Sequence, residues 1–594
     1  MKKLKNNWYM IRFVLRYAPG MFILKIISTL TSLAVNIGCN VFFLKTVVDA
    51  MEYGGDFQKI LLFIAAIGAL IIFDGILTSI YQERISPKGT LKIHKGMHNQ
   101  IFDKIKHVEL ENFDDSDFYN SYILAINEAD NCALRSFNVV TSLISNILAA
   151  LSFSSIAIFY DPMLLVFSIV PVVATTFFGI WQSHISVAKR EESIYPERKG
   201  DYSKRVFYLQ QYAKELRLYP SMNKKVVDEF NDSVQDRAHI IDKYSFKMTV
   251  ISFLCSHFQV IFCVLCMSIY ISWRVIVQGS LSAGVFVAMF TAVNNFTYSV
   301  GAIFNSIPQI TENGLYAERV RKILDYRSKM ENPDAVPVEP EAFLASFREI
   351  ELRNVSFRYP GSDTFVLRNI NLKIHDGERI ALVGFNGAGK STLVKLIMRL
   401  YDPTEGEIRI NGVNIKEIDV KTYRKLFQVV FQDFQLYAFS LGSNIMMRDP
   451  VPGDDRVIDD ALDKSHLSDF KDLKEKNLTR EFDKDGLIPS GGQSQKIAIA
   501  RALAANNGRL VVMDEASSAL DPVSEYNINK SIFDNTAGKS MIIISHRLST
   551  VQYADKIYYL NEGRITESGT HGELIGQRGD YCAMYEKQAE SYRL

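Results

Sequence analysis

The sequence is poor in tryptophan and cysteine, with three and six among 594 residues, and it has almost no net charge, 67 Lys and Arg standing against 66 Asp and Glu. The scattered cysteines exclude a disulfide framework, and Cys39, Cys255, Cys263 and Cys266 lie inside apolar runs, where thiols act as small buried hydrophobes. Cys263 and Cys266 have CxxC spacing, but no second pair completes a metal site. Near-neutrality gives no electrostatic footing for nucleic acid, and no basic stripe interleaved with aromatics occurs. Charge runs such as Lys224-Lys225 read as solvated faces. The basic start "MKKLKNNWYMIRFVLRYAPG" lacks a convincing signal cleavage site, and the apolar stretch after it is too long for a signal h-region. Residues 6 to 17 read instead as an amphipathic helix lying on the inner membrane surface, with Trp8 and Tyr9 at headgroup level.

What is present falls into two halves. A hydrophobic share of 48% excludes wholesale disorder, and the length calls for more than one domain. Before about Val320, long apolar runs are broken by charged stretches; after about Phe347, short strands and helices alternate as in a soluble α/β domain. Six segments reach the roughly 20 residues that cross hydrocarbon: Phe22 to Val48, Ile60 to Tyr81, Asn138 to Tyr160, Met163 to Gln182, Met248 to Ile271 and Gly284 to Ile307. Connections after the first, third and fifth are short, the third little more than Asp161-Pro162. Those after the second and fourth are long, read as helical, and hold most of the Lys and Arg, so the positive-inside tendency puts them and both termini in the cytoplasm. Trp181 and Trp273 fall at segment ends, where interfacial aromatics belong. Lys25, Asn36, Asp74, His257, Gln259, Asn294 and Asn295 lie at membrane depth. Lys25 is close enough to the boundary to snorkel. Asp74 and His257 are either functional or satisfied by neighbouring helices.

In the second half, "ERIALVGFNGAGKSTLVKLIMRL" reads as strand, glycine loop, helix; Gly384 to Ser391 fit GxxxxGK[ST], and Thr392 follows. This pattern suits a triphosphate, because the glycines let backbone N–H groups approach, Lys390 offsets β/γ charge and the Ser391 hydroxyl ligates Mg²⁺. A second strand, "GRLVVMDEASSALD", ends in adjacent carboxylates: Asp514, placed to hold Mg²⁺ through water, and Glu515, placed to orient or deprotonate an attacking water. Such a pair can also simply cap the next helix. A third strand, "SMIIISH", brings His546 towards the γ-phosphate. In "GLIPSGGQSQKIAIARAL" a Ser-Gly-Gly turn meets a helix start, an anion-binding arrangement with no lysine in the turn.

These residues spell out a family. "GFNGAGKST", "VVFQDF" with Gln432, "PSGGQ", "LVVMDE", "SSALD" and "SH" at 545 to 546 stand in the order of the Walker A, Q-loop, signature, Walker B, D-loop and H-switch motifs of ABC ATPases. With six membrane segments and two long loops ahead of them, the chain resembles an exporter-type ABC half-transporter along essentially its whole length. The resemblance implies a multidomain fold, an all-α six-helix transmembrane domain followed by an α/β P-loop ABC ATPase domain. Its divisions are an elbow helix at 1–18, a membrane domain at 19–320, a linker at 321–348 and a nucleotide-binding domain at 349–594. It implies ATP and Mg²⁺ as cofactors. Gly384, Asn386, Gly387, Ala388, Gly389, Lys390, Ser391 and Thr392 would cradle the phosphates, and Tyr359 of "VSFRYPG" would stack on adenine. Ser391, Gln432 and, through water, Asp514 would hold the metal, while Glu515, His546, Gln432 and Lys390 would be catalytic.

By the same resemblance, Ser490, Gly491, Gly492, Gln493 and Asp521 act in trans on the ATP of a second chain, identical or homologous. Short helices near Glu111 to Tyr119 and Tyr212 to Tyr219 would dock close to the Gln432 loop and pass its motion to the membrane helices. Two departures stand out: Pro489 replaces the usual leucine of the signature, and "LTREFDKDGLIP", around Glu481, matches the family's cross-talk loop only loosely. With Glu515 and His546 intact, both a homodimer and a heterodimer with one competent half fit. The implied activity is ATP-driven export of an amphipathic lipid, drug or peptide through the bilayer. Phe286, Phe290, Phe296, Tyr298 and Phe304 suit such a cargo and equally suit ordinary packing. An importer of a metal chelate and a nucleotide-gated protein that does not pump are the alternatives. No cysteine-peptidase domain for leader cleavage is present, and the layout, without a long glycosylated loop, points to a bacterial inner membrane.

Overall fold

The computed structural model describes residues 2–55, 57–330, 339–505, 508–515, 521–545, 548–552 and 554–592. Two compact units share the chain: Met1–Lys106 with Asn120–Tyr326, and His107–Tyr119 with Arg327–Leu594.

The first unit is all helix. After α1 (Lys2–Tyr17) come α2 (Pro19–Tyr53), α3 (Phe57–Ile105), α4 (Ser116–Tyr160), α5 (Leu164–Tyr208), the short α6 (Gln210–Leu218), α7 (Pro220–Val277) and α8 (Ala283–Leu324). All of them except α1 and α6 contain a window long and apolar enough to cross a membrane, which gives six spans. Each outruns the segment read from hydropathy because the polar loop sequences are helical too. Pro19 and Pro220 open α2 and α7, where a missing N–H costs nothing. Beyond the apolar windows, ion pairs between α5 and α7 hold their polar stretches together, with Lys243 and Glu192 at 2.7 Å and Lys199 and Glu229 at 2.5 Å.

Helix α1 carries polar residues on its buried face. It begins at Lys2 and buries Asn6, Asn7, Met10, Ile11, Phe13 and Val14 inside the protein, leaving Trp8 exposed. Two asparagines on the buried face are tolerable because each is bonded. Asn6 donates to the Gly314 carbonyl (3.3 Å), and Asn7 donates to the Ile310 carbonyl (2.8 Å) and accepts from Ser136 and Asn313. Tyr9 lies under the Arg321 guanidinium at 5.3 Å. Of the polar residues at membrane depth, His257 bonds the Phe253 carbonyl (2.8 Å), while Asn294 and Asn295 bond Phe290 (3.0 Å) and Thr291 (2.9 Å), each one turn back on its own helix. The side chains of Gln259 and Cys263 lie outside the described residues. Phe286 and Phe290 stack within a buried cluster with Met267 and Val293, the ordinary packing role; Tyr298 is exposed.

The second unit holds two sheets. The antiparallel one runs β2 (Leu367–His375), β1 (Glu349–Phe357), β4 (Glu405–Ile410), β5 (Val413–Asn414). The other runs β10 (Arg564–Gly569), β9 (Lys556–Asn561), β3 (Arg379–Gly384), β8 (Ser540–Ile544), β7 (Leu510–Asp514), β6 (Phe427–Val430), parallel except for β10. Every residue of β7 and β8 is buried, as unbroken apolar strands are when both faces of a parallel sheet are covered. Register pairs Leu382 and Asp514 with the same Ile544, so the loop leaving β3 and the acid ending β7 emerge side by side at the carboxyl edge. That edge is where open α/β sheets bind ligands.

Candidate nucleotide site

From β3 the chain turns through Gly384 to Gly389 into α9 (Lys390–Ile397). Two glycines are obligatory here. A Cβ on Gly384 (φ 150°) would sit 2.1 Å from the Leu560 carbonyl oxygen, and one on Gly389 (φ 99°) 2.6 Å from a Leu367 methyl. The Lys390 ammonium folds back onto the loop, donating to the carbonyls of Gly384 (2.9 Å) and Phe385 (3.0 Å), and its burial lowers its pKa. A buried ammonium held by neutral carbonyls is poised to exchange them for an anion, which would compensate its charge.

Ser391 donates to Asp514 Oδ1 at 3.3 Å. Burial, with Glu515 and Asp433 nearby, raises the Asp514 pKa, so this acid wants a cation. A hydroxyl and a carboxylate oxygen side by side suit Mg²⁺, which takes few protein ligands and completes its shell with phosphate and water. Consistent with that, no group of three or more His, Cys, Asp and Glu among the described residues is arranged to hold a metal alone.

Glu515 sits in the left-handed region (φ 48°), a conformation non-glycine residues adopt at a cost and that clusters at functional sites. Its carboxylate accepts from Gln432 Nε2 at 2.8 Å, and its carbonyl accepts from Gln495 Nε2 at 3.3 Å. Lys390, Ser391, Asp514, Glu515 and Gln432 are thus brought into one bonded or electrostatically coupled group. Asn386 is exposed, Ala388 is buried, and Gly387 has φ 82° with open space around it. His546 and residues 516–520 lie outside the described residues.

Tyr359 bonds Thr392 through their hydroxyls (3.0 Å) and packs edge-on against Phe357 and Tyr401. Tyr401, itself buried, donates to Asp114 Oδ2 at 2.7 Å, and burial together with that carboxylate raises its pKa. Asp114 ends the short helix Glu111–Asp114, the first of the two tips expected at the Gln432 loop. This tip is bonded to the aromatic group around Tyr359. Its neighbour Glu109 is buried and accepts from Ser328 Oγ (2.6 Å), from the Lys329 amide and from the Met330 amide (3.1 Å). A cleft of about 600 Å³ lies between these residues and Tyr359, lined also by Arg358, Asp363 and Thr404.

The signature turn keeps its bonds within itself. Ser490 caps α10 (Gly491–Ala504), its Oγ accepting from the Gln493 amide (3.3 Å) while its own amide donates to Gln493 Oε1 (2.8 Å). Pro489 therefore leaves the capping box intact. Ser490 Oγ accepts here and can still donate, and the first-turn amides of Gly491 and Gly492 have no intrahelical acceptor. Asp521 caps α11 (Pro522–Asn535), accepting from the amides of Val523 (3.1 Å) and Ser524 (3.0 Å).

A glycine loop opening a helix, with a carboxylate pair at the adjacent strand end, defines a P-loop nucleotide-binding domain. Residues 367–518 match the family described as ABC transporter. Over 312 residues the chain is 34% identical to the ATP-dependent lipid A-core flippase of Escherichia coli (strain K12), covering 52% of this chain and 52% of that protein. Over 299 residues it is 38% identical to Multidrug resistance protein 1 of Entamoeba histolytica, covering 50% of this chain and 23% of that protein. The matches thus span about half the length of these curated relatives, or less. In fold the chain is similar to a bacterial Atm1-family ABC exporter with ATP bound, with a TM-score of 0.78 at 22% identity over 97% of this chain and 98% of that one. Residues 367–518 thus carry the ATP-binding domain of the ABC transporter family, and the chain as a whole joins six membrane-length helices to it in a fold similar to that of an ABC exporter.

Three contributors escaped sequence reading. Asp433 follows Gln432 directly and could have been flagged as a third acid; Gln495, a buried polar residue on α10, and Tyr401 carried no local signal.

Proposed function

We propose that the chain is one half of an ATP-hydrolysing exporter that works as a dimer, moving an amphipathic substrate across a membrane by alternating access. The observation that carries this reading is the bonded Gln432–Glu515 pair beside Lys390, Ser391 and Asp514 in a chain with six membrane-length helices. Lys390 and the loop amides bind the β- and γ-phosphates. Ser391 and Asp514 would hold Mg²⁺, which would offset phosphate charge. Glu515 takes the proton of the attacking water, and Gln432 fixes that carboxylate until substrate arrives.

Ser490 Oγ–H and the Gly491 and Gly492 amides reach the γ-phosphate held by a second chain, so two nucleotide domains close over two ATP molecules. ATP favours the closed state by contacts that exist only there, and hydrolysis removes them. Both termini and the nucleotide domain lie in the cytoplasm of a bacterial cell, with the spans in its inner membrane.

The test is reconstitution in lipid vesicles. Glu515→Gln is expected to keep ATP affinity and lose turnover by about 10²–10⁴-fold, the usual worth of a general base. Wild-type rates in that variant would remove Glu515 from its role, and ATP turnover without uphill flux of any amphipath would remove the exporter reading. Native mass spectrometry of the complex from its own membrane separates two identical chains from a mixed pair.

A further inference from the structure

We propose that Asp74 anchors a binding site for the cationic headgroup of an amphipathic cargo, built into a polar seam between α2 and α3. On α2, Lys25, Ser28, Ser32, Asn36 and Asn40 recur at intervals of three or four residues, which places them on one stripe of the helix. Facing them on α3 are Asp74 and Thr78, one turn apart. Ser28 and Thr78 share a hydroxyl bond (3.1 Å), and Asn40 donates to Asn36 (3.1 Å). At the centre Asp74 accepts from Thr31 (2.5 Å) and from Ser32 on both oxygens (2.9 and 3.1 Å).

The seam is short of positive charge. Every donor to Asp74 is a neutral hydroxyl, and among the described residues no basic side chain pairs with it. Lys25 sits over the Tyr81 ring at 5.2 Å, and its position is seven residues from Ser32, about 10 Å along a helix. A carboxylate at membrane depth without a counter-ion is costly, and such residues mark ion or substrate paths. His257, Asn294 and Asn295, by contrast, are satisfied within their own helices.

Two further features fit a ligand. Ser32 and Asn40 are exposed and Asp74 only half-buried, so a headgroup can reach the carboxylate, while Ile71, one turn before Asp74 on the same face of α3, is exposed to take an apolar body. Above the carboxylate, α2 widens into a π-helical turn at Gly38–Phe43, a bulge frequent at functional sites. In this low dielectric the carboxylate attracts a cation strongly and rejects an anion of the same size.

The inference rests on the exporter reading only for the purpose of the site, so its test uses no nucleotide. Tetraphenylphosphonium and tetraphenylborate are close in size and opposite in charge. Full-length protein in lipid nanodiscs is expected to bind the first saturably and not the second, beyond what empty nanodiscs take up. Asp74→Asn should weaken cation binding by about tenfold or more, and Asp74→Glu should stay within about threefold of wild type. If Asp74→Asn does not assemble, Thr31→Val removes one hydroxyl at constant shape and should shift cation affinity by about threefold or more. Equal uptake of both ions, no saturable cation binding, or unchanged affinity in Asp74→Asn and Thr31→Val would each overturn the site. Cation binding that survives in a protein without ATP turnover would keep the site and remove the exporter reading.

Discussion

At the scale of single residues, the nucleotide site holds groups whose local state is unfavourable until a ligand arrives. The Lys390 ammonium is buried and hydrogen-bonded to two carbonyls, with Asp514 and Glu515 near enough to act on its charge, so Lys390→Ala should weaken ATP binding by about 10- to 100-fold, the value of a charge-assisted bond, in a nucleotide titration. Asp514 gives a pH signature. Its folded pKa lies above the unfolded value, so its contribution to stability is greatest below the ordinary carboxylate range and is lost as pH rises through the raised value. Thermal unfolding without Mg²⁺ should therefore show Asp514→Asn with a higher Tm than wild type at neutral pH, and with that advantage gone in acid. Mg²⁺-ATP should reverse the order, since only the wild type gains from the metal.

These residues were legible in the sequence because a phosphate loop fixes residue type at fixed spacing, and the acids follow an apolar strand. The left-handed backbone of Glu515 and the Gln495 bond behind it were not, since both depend on how α10 packs against β7. The resemblance gave Asp521 a reach into a second chain, which is part of the dimer proposal; in the structure its side chain caps its own helix.

At the scale of elements, the short helix Glu111–Asp114 is joined to the aromatic group around Tyr359 by the hydrogen bond that Tyr401 donates to Asp114. Tyr401→Phe keeps the ring packing and leaves the carboxylate without its donor, so it should cost about 1–3 kcal/mol by denaturant unfolding. Adding Asp114→Asn should cost clearly less than the sum of the two single changes, as partners in contact do. If Tyr359 reads adenine, the same pair should alter the preference for ATP over a triphosphate with another base. That such a helix would exist followed from the family resemblance; its bond to Tyr401 did not, because Tyr401 lies far away in sequence and nothing local marks it.

At the scale of the whole molecule, the lengths of six apolar segments and two polar loops gave the order of the helices. They did not reveal that Asn6 and Asn7 would be buried, since polar residues go inside only where acceptors such as Gly314 and Ile310 happen to meet them. Under the dimer proposal, each ATP is closed between the phosphate loop of one chain and the signature turn of another. ATP hydrolysis in nanodiscs should accordingly disappear in preparations holding single chains and return with pairs. It should rise with ATP concentration with a Hill coefficient above 1, whereas full activity from isolated chains would contradict the dimer.

Residues 107–119 are spelled in the middle of the membrane unit but folded into the nucleotide unit. The Asp114–Tyr401 bond spans 287 residues of chain and the Glu109–Met330 bond 221. At about 5–20 residues per second of synthesis, Asp114 leaves the ribosome about 15 to 60 s before its partner exists. For that interval the loop is a finished ligand without a receptor, and the nucleotide unit cannot complete itself until long after its first piece has been made.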